Sequence, residues 1–418
     1  MYEKMTLPNG ARLVYDRMPG VRSVSCNIWI GAGSRYEKPS ENGASHFIEH
    51  MVFKGTGQRS AAALAEAMDA VGGQVNAFTA KDCTCFYGRV LDEHLPILTD
   101  LLCDMLFGSV FAEECVESER GVIFDEIDMY EDTPDDLVSE RLCAAVYRGS
   151  SLARPVLGTK RTLSKLTGDS LKRFMAAHYG AENTVAALAG SFTDGDLADL
   201  AERLSSIPRT APAAAGTPVY TPTFTVRRRP TEQNHLCLGF PGVSLADGDR
   251  FAARILCEAL GGGYSSRLFQ KLREEKGLCY AVNAGEAQFA DCGFLELYAA
   301  VSRENEAEAL SMMLDEVKRI ADGGVRADEL ERVRGQARVS LLMSLESTGS
   351  RASRLGRSEL LCGRAEDVKS LIDGFEAVGR DDVLRLARRF FTPESLSLPA
   401  VGRVQTADAY RELTARSF

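Results

Sequence analysis

Ser45-His46-Phe47-Ile48-Glu49-His50-Met51-Val52-Phe53 is the stretch from which the rest of the chain can be read. The chain has only five histidines, and two of them sit here, four residues apart, with a carboxylate beside the second. Apolar residues around them suit a helix, and on a helix positions i, i+3 and i+4 share one face. His46, Glu49 and His50 therefore project together. Two imidazoles one turn apart can grip one metal ion, and a carboxylate between them can take a proton from water that the metal activates.

The surrounding composition bounds the setting. At 418 residues the chain exceeds one ordinary domain, and two or three are expected. With 45% hydrophobic and 26% charged residues it has enough apolar material for real cores. A formal net charge of -10 excludes the usual electrostatics of nucleic-acid binding and mildly favours basic ligands. The eleven cysteines are scattered, odd in number and without a Cys-x-x-Cys, so they read as reduced core residues. Cys83 and Cys85, alternate residues of one expected strand, could serve as soft metal ligands, with reduced core thiols the ordinary reading. No apolar run reaches signal-peptide or membrane-span length, so a cytoplasmic location with no membrane partner is expected.

Element order suggests a duplication. After the turn Leu7-Pro8-Asn9-Gly10, Ala11 to Tyr15 reads as a strand, and Val24 to Ile30 alternates as a half-buried strand does. The His46 helix follows, then a helix over Ala61 to Val71 that Gly72-Gly73 stops. Two extended segments come next, Gln74 to Thr79 and Cys83 to Val90, and then several helices. Ile207 to Pro222 is rich in Pro, Ala, Thr and Gly and reads as a linker. Beyond it strands, helices, strands and helices recur. The expected fold is α+β, made of two homologous domains, each a mainly antiparallel sheet packed with helices. The expected boundaries are residues 1–207, a linker at 208–222, and residues 223–418.

A zinc ion with two histidine ligands needs a third protein ligand and an open position for chemistry. Glu119 and Glu126 lie seven residues apart on one face of a helix over Ala112 to Tyr130, beside an apolar stripe of Val122, Ile123 and Ile127. Periodicity alone leaves two readings open, a ligand helix and a solvated acidic one.

Asn42-Gly43-Ala44-Ser45-His46-Phe47-Ile48-Glu49-His50-Met51-Val52-Phe53-Lys54-Gly55-Thr56 resembles the signature of the pitrilysin family of zinc metallopeptidases (inverzincin, insulinase-like), in its mitochondrial-processing-peptidase-like branch. Glu119-Arg120-Gly121-Val122-Ile123-Phe124-Asp125-Glu126-Ile127 is similar to the family's E-R-x-V-I-x-x-E-I segment. The resemblance implies that one zinc per chain is held by His46, His50 and Glu126. It makes Glu49 the general base and Glu119 an acid that orients a ligand histidine. It further implies that Asn76, Ala77 and Phe78 belong to an edge strand onto which an extended peptide substrate adds. In the second half it makes Arg273 a holder of substrate backbone and Tyr280 a donor to the developing oxyanion. Taken alone, those two read as a helix-end salt bridge and a strand tyrosine.

The implied activity is that of a zinc-dependent endopeptidase cleaving short or unfolded peptides. The implied architecture is half of a clamshell, completed by a second copy as a homodimer or by a related chain as a heterodimer. The alternative is a non-catalytic or partner-dependent subunit of such a heterodimer. The intact ligand set separates the two, because subunits without activity usually lose it.

Overall fold

The computed structural model describes residues 2–211 and 214–417, and the chain divides into two compact units. In the first unit the strands are β1 (Glu3–Thr6), β2 (Arg12–Arg17), β3 (Ser23–Ile30), β4 (Gln74–Thr79), β5 (Thr84–Leu91) and β6 (Thr184–Gly190). They form one sheet in the order β1-β2-β6-β3-β5-β4. Only β2 and β6 run parallel; every other neighbouring pair is antiparallel. The second unit holds β7 (Phe224–Arg228), β8 (Asn234–Pro241), β9 (Cys279–Gln288), β10 (Gly293–Val301) and β11 (Leu398–Gly402), in the order β7-β11-β8-β10-β9.

These two sheets share one winding. Without β1, the first sheet places its strands first, last, second, fourth, third, and the second sheet does the same. In both, the first and last strands are the parallel pair. The α+β duplication expected from element order is therefore visible in topology, where sequence similarity between the halves is too weak to show it.

One face of each sheet carries a large apolar core. In the first unit Cys26, Ile28 and Ile30 of β3 pack with Phe47, Ile48 and Met51 from the His46 helix. In the second, Leu236, Leu238 and Phe240 of β8 pack with Ile255, Leu256 and Ala259. The opposite faces are also covered, which corrects the reading of β3 as half-buried. Ser25 and Asn27, its polar positions, are both buried. Ser25 Oγ lies 2.9 Å from Thr348 Oγ1, and the Asn27 amide lies 3.0 Å from Ser353 Oγ. A polar alternation signals solvent only where nothing polar packs over it, and here a hydroxyl-bearing helix does.

That helix, Thr348–Cys362, comes from far along the chain, which changes the domain boundaries. The first unit comprises residues 1–127, 154–216 and 341–368, and the second comprises 128–153, 217–340 and 369–418. The units therefore differ from the sequential division 1–207 and 223–418 by a reciprocal exchange. In the first unit Ala352 and Leu355 pack on Val14, Trp29, Val185 and Ala187. In the second, Leu137, Val138, Leu142 and Val146 of helix Pro134–Val146 pack on Cys237, Phe294, Tyr298 and Val401. Glycine permits the close approach in both: a Cβ on Gly356 would stand 2.3 Å from Trp29 Nε1, and one on Gly239 2.3 Å from Leu142 Cδ1. The units change over between Gly216 and Thr217, inside the expected linker, of which Pro212 and Ala213 lie outside the described residues. Among the described residues no helix is long and apolar enough to cross a membrane.

Candidate metal centre

The helix Ala44–Met51 carries His46, Glu49 and His50, and its start is built unusually. No side chain caps it from the residue just before; Gly43 stands there in the left-handed region at φ 96°. The helix amides are met instead by Glu37. Its carboxylate accepts from Gly43 N–H and Ser45 N–H, both at 2.8 Å, and from Asn42 Nδ2 at 2.9 Å. Burial pushes the Glu37 carboxyl upward, and these donors pull it back. A carboxylate at a helix N-terminus also complements the helix dipole. Sequence reasoning missed Glu37, and its signal was indirect: the helix lacks a Ser, Thr or Asp immediately before it.

The fold brings the three expected ligands together. His46 Nε2 lies 3.6 Å and His50 Nε2 3.5 Å from Glu126 Oε2, and the ligand atoms of all three residues fall within 4.8 Å of one another. Among the described residues this is the one group of three or more His, Cys, Asp or Glu side chains so arranged. Glu126 comes from the helix Glu113–Glu131, whose buried positions Val116, Glu119, Arg120 and Ile123 face inward. The acidic helix is packed along this side, although of the expected apolar stripe only Ile123 is buried, Ile127 being half-buried and Val122 exposed.

These side chains fit zinc. Ligand atoms about 2.0–2.1 Å from a tetrahedral ion stand about 3.3 Å from each other, close to the separations seen here. Glu126 Oε2 is buried and hydrogen-bonds to nothing among the described residues, though two imidazole nitrogens face it. Polar atoms so placed call for a partner between them. Burial pushes His46 down to about 4, the neutral state a ligand requires. Burial also works against charge on His50, but Glu126 and Glu119 outweigh it and raise this imidazole. His50 in turn holds Glu126 below the usual carboxylate range.

Two further carboxylates surround the set. Glu119, 5% exposed, lies 3.1 Å from His50 Nδ1 through one oxygen and 2.6 Å from Lys54 Nζ through the other. A proton on Nδ1 directed at Glu119 leaves the Nε2 lone pair facing Glu126, the usual way an outer carboxylate fixes a ligand tautomer. Glu49 accepts from Thr79 Oγ1 at 2.6 Å, and burial raises its carboxyl, which suits a proton acceptor working near neutral pH. Lys54 and Thr79 were in quoted stretches, but nothing in their spacing marked these contacts.

Thr79 ends β4, and β4 is the edge of its sheet, paired only with β5. Asn76 and Phe78 are exposed and Ala77 is buried, as alternation on an edge strand dictates. The Ala77 amide is met at 2.8 Å by Asn76 Oδ1, marking it as one of the amides that the ladder to β5 leaves over.

Arg273 and Tyr280 belong to the second unit, and there the structure brings them together. The Arg273 guanidinium lies 4.5 Å from the centre of the Tyr280 ring and 4.7 Å from that of Phe269. Arg273 sits in a π-helical turn, Phe269–Glu275, where an ordinary helix was expected, and such turns concentrate at functional sites. Tyr280, on β9, is 76% exposed. Cys83 and Cys85 are both buried, burial pushes both thiols up, and neither belongs to the one converging ligand group among the described residues.

Comparison with known proteins identifies the family. Residues 12–160 match the family described as Insulinase (Peptidase family M16), and residues 165–337 match the Peptidase M16 inactive domain. The uncharacterized zinc protease YmxG of Bacillus subtilis is 41% identical over 396 residues, covering 94% of this chain and 97% of that one. An uncharacterized zinc protease of Streptomyces coelicolor is 40% identical over 98% of this chain and 91% of its own. The fold is shared with a protease from Helicobacter pylori at a TM-score of 0.90 and 20% identity, over 96% of this chain and 99% of that one. It is shared also with a peptidase M16 inactive domain from Pseudomonas fluorescens at a TM-score of 0.89 and 19% identity, over 97% and 99%. By the two matched domains, and by identity extending over nearly the whole length of its relatives, this chain belongs to the insulinase family of peptidases, M16.

Proposed function

We propose that the chain is a zinc-dependent endopeptidase that hydrolyses short or unfolded peptides bound in extended form. The observation that carries this reading is the convergence of His46, His50 and Glu126 on one point, with the Thr79-bound carboxylate of Glu49 on the same helix face. Zinc there would supply Lewis acidity, polarising the scissile carbonyl and making water a nucleophile at neutral pH. Glu49 takes the proton from the attacking water and returns it to the leaving amine. Thr79 fixes the carboxylate that does so, and Glu119 fixes His50. The open edge of β4 pairs with substrate main chain, which selects extended conformation over particular side chains. Arg273 holds substrate backbone, and Tyr280 donates a hydrogen bond to the oxyanion.

The test is metal dependence. Purified chain incubated with a peptide library is expected to cut it, to lose all cutting on chelation, and to regain it when zinc is restored. Cleavage indifferent to chelator would remove this reading.

The same reading includes a processing-peptidase-like assembly of two copies, in which the Arg273 and Tyr280 of one complete the metal site of the other. Glu49→Gln and Arg273→Ala proteins, each inactive, are then expected to recover activity on mixing and subunit exchange. The level approaches about one quarter of the unmodified protein, since half of the dimers carry one intact site of two. No recovery in a mixture shown to have exchanged subunits would exclude shared sites.

A further inference from the structure

Lys54 follows His50 by four residues, on the turn that carries the chain out of the ligand helix. Past Ala44–Met51 the backbone winds once more, with Phe53 N–H donating to His50 O at 3.3 Å and Lys54 N–H to Met51 O at 3.0 Å. Gly55, at φ 117°, then turns it away, so Lys54 ends the winding that His46 and His50 share. The helix Glu113–Glu131 grips this residue at two points. The Cys115 thiol donates to Lys54 O at 3.9 Å, and Glu119, one turn along from Cys115, meets Lys54 Nζ at 2.6 Å.

The Glu119 carboxylate is thereby held from two sides. One oxygen faces His50 Nδ1 at 3.1 Å and the other faces Lys54, and it has no third hydrogen-bond or ion-pair partner among the described residues. Among those residues the Lys54 ammonium, too, pairs with nothing else. An ion pair between exposed side chains would carry little, but Glu119 is buried and Lys54 half-buried, so water does not take the place of the ammonium at the carboxylate. With Lys54 gone, a single contact would orient the carboxylate, and a group held at one point can swing about it. The consequence reaches the metal centre, because that carboxylate decides which nitrogen of His50 faces Glu126. The pair also ties the segment bearing His46 and His50 to the helix bearing Glu126.

We propose that Lys54 is a positioning residue of the metal centre, whose ammonium pins the carboxylate of Glu119 so that His50 keeps its Nε2 directed at the point shared with His46 and Glu126. The inference rests on the reading of those three residues as zinc ligands.

The test measures zinc affinity, by competition with a chelator, in the unmodified chain, in Lys54→Met, in Glu119→Gln and in the double variant. Lys54→Met keeps a long unbranched apolar side chain and removes the charge, and it is expected to weaken zinc binding by about tenfold, the lower end of what loss of an outer partner costs a metal site. Lys54→Arg, which restores a cation, should keep most of the affinity. In the Glu119→Gln background, Lys54→Met should have almost no further effect, because the residue through which it acts is already altered. The unfolding midpoint of the metal-free variants, followed by Trp29 fluorescence, isolates a merely structural role. Unaltered zinc affinity in Lys54→Met overturns the proposal, with or without a lowered midpoint, and so does a loss of affinity that simply adds to that of Glu119→Gln. Unmodified chain that binds no zinc removes the metal reading and this role with it, whereas zinc binding indifferent to Lys54 removes the role alone.

Discussion

Replacing Glu49 by glutamine is expected to leave zinc bound and to lower peptide hydrolysis by roughly 10³-fold, within the range that a positioned general base contributes. The substitution keeps the shape of the side chain and its place against Thr79 Oγ1, but removes its ability to accept a proton from water. Glu49 is not one of the three converging ligands, so the metal should stay. Glu119→Gln separates the two kinds of role. Its carboxylate touches His50 Nδ1 and Lys54, and its change should weaken zinc binding by about 10- to 100-fold while activity at saturating zinc suffers less. Metal content and hydrolysis measured on the same preparations distinguish the cases. Undiminished cleavage by zinc-replete Glu49→Gln protein would falsify its assignment as the base.

The second large effect is expected at a residue that touches neither metal nor substrate. Glu37→Ala removes three hydrogen bonds in a buried setting, leaving the amides of Gly43 and Ser45 without an acceptor, while Asn42 Nδ2 keeps its bond to Pro155 O. Each unmet buried donor costs about 1–3 kcal/mol, so the loss should be roughly 3 kcal/mol or more. Trp29, the only tryptophan, is 2% exposed in the first unit and reports on it. Its fluorescence in urea should show an earlier midpoint for Glu37→Ala. Zinc affinity should fall too, because the helix that loses its cap carries both histidine ligands. A variant with unaltered midpoint and affinity would show that this carboxylate is dispensable.

How much of this could be read beforehand depended on whether a signal was local. His46, Glu49 and His50 lie within one helical turn and a half, so spacing alone brought them to one face. Glu126 lies 76 residues beyond His50, among several acids of one helix, and only the family resemblance distinguished it. Glu37 was invisible because its work is done on a helix start six to eight residues away, across a loop. Main helices were found to within a few residues: Ala112 to Tyr130 was expected where Glu113–Glu131 stands. The helix Thr348–Cys362 was not read as one. Its buried positions are Thr348, Ala352, Leu355, Gly356 and Glu359, small or polar residues that make no apolar stripe, because they must fit closely against Trp29 and receive Lys4 and Arg12 at Glu359. A period of 3.6 is legible only when large apolar side chains mark it.

The late arrival of that helix bears on how the chain is made. During synthesis the metal ligands and every strand of the first sheet are complete once residue 190 has emerged. Val14, Trp29, Val185 and Ala187 must then wait until residues 348–362 are translated before their face of the sheet is covered. At about 5–20 residues per second, that interval lasts on the order of ten seconds or more. Throughout it the nascent chain shows an apolar surface that a chaperone can recognise, and a ribosome stalled before residue 348 would release a product holding every metal ligand but lacking the segment that seals it.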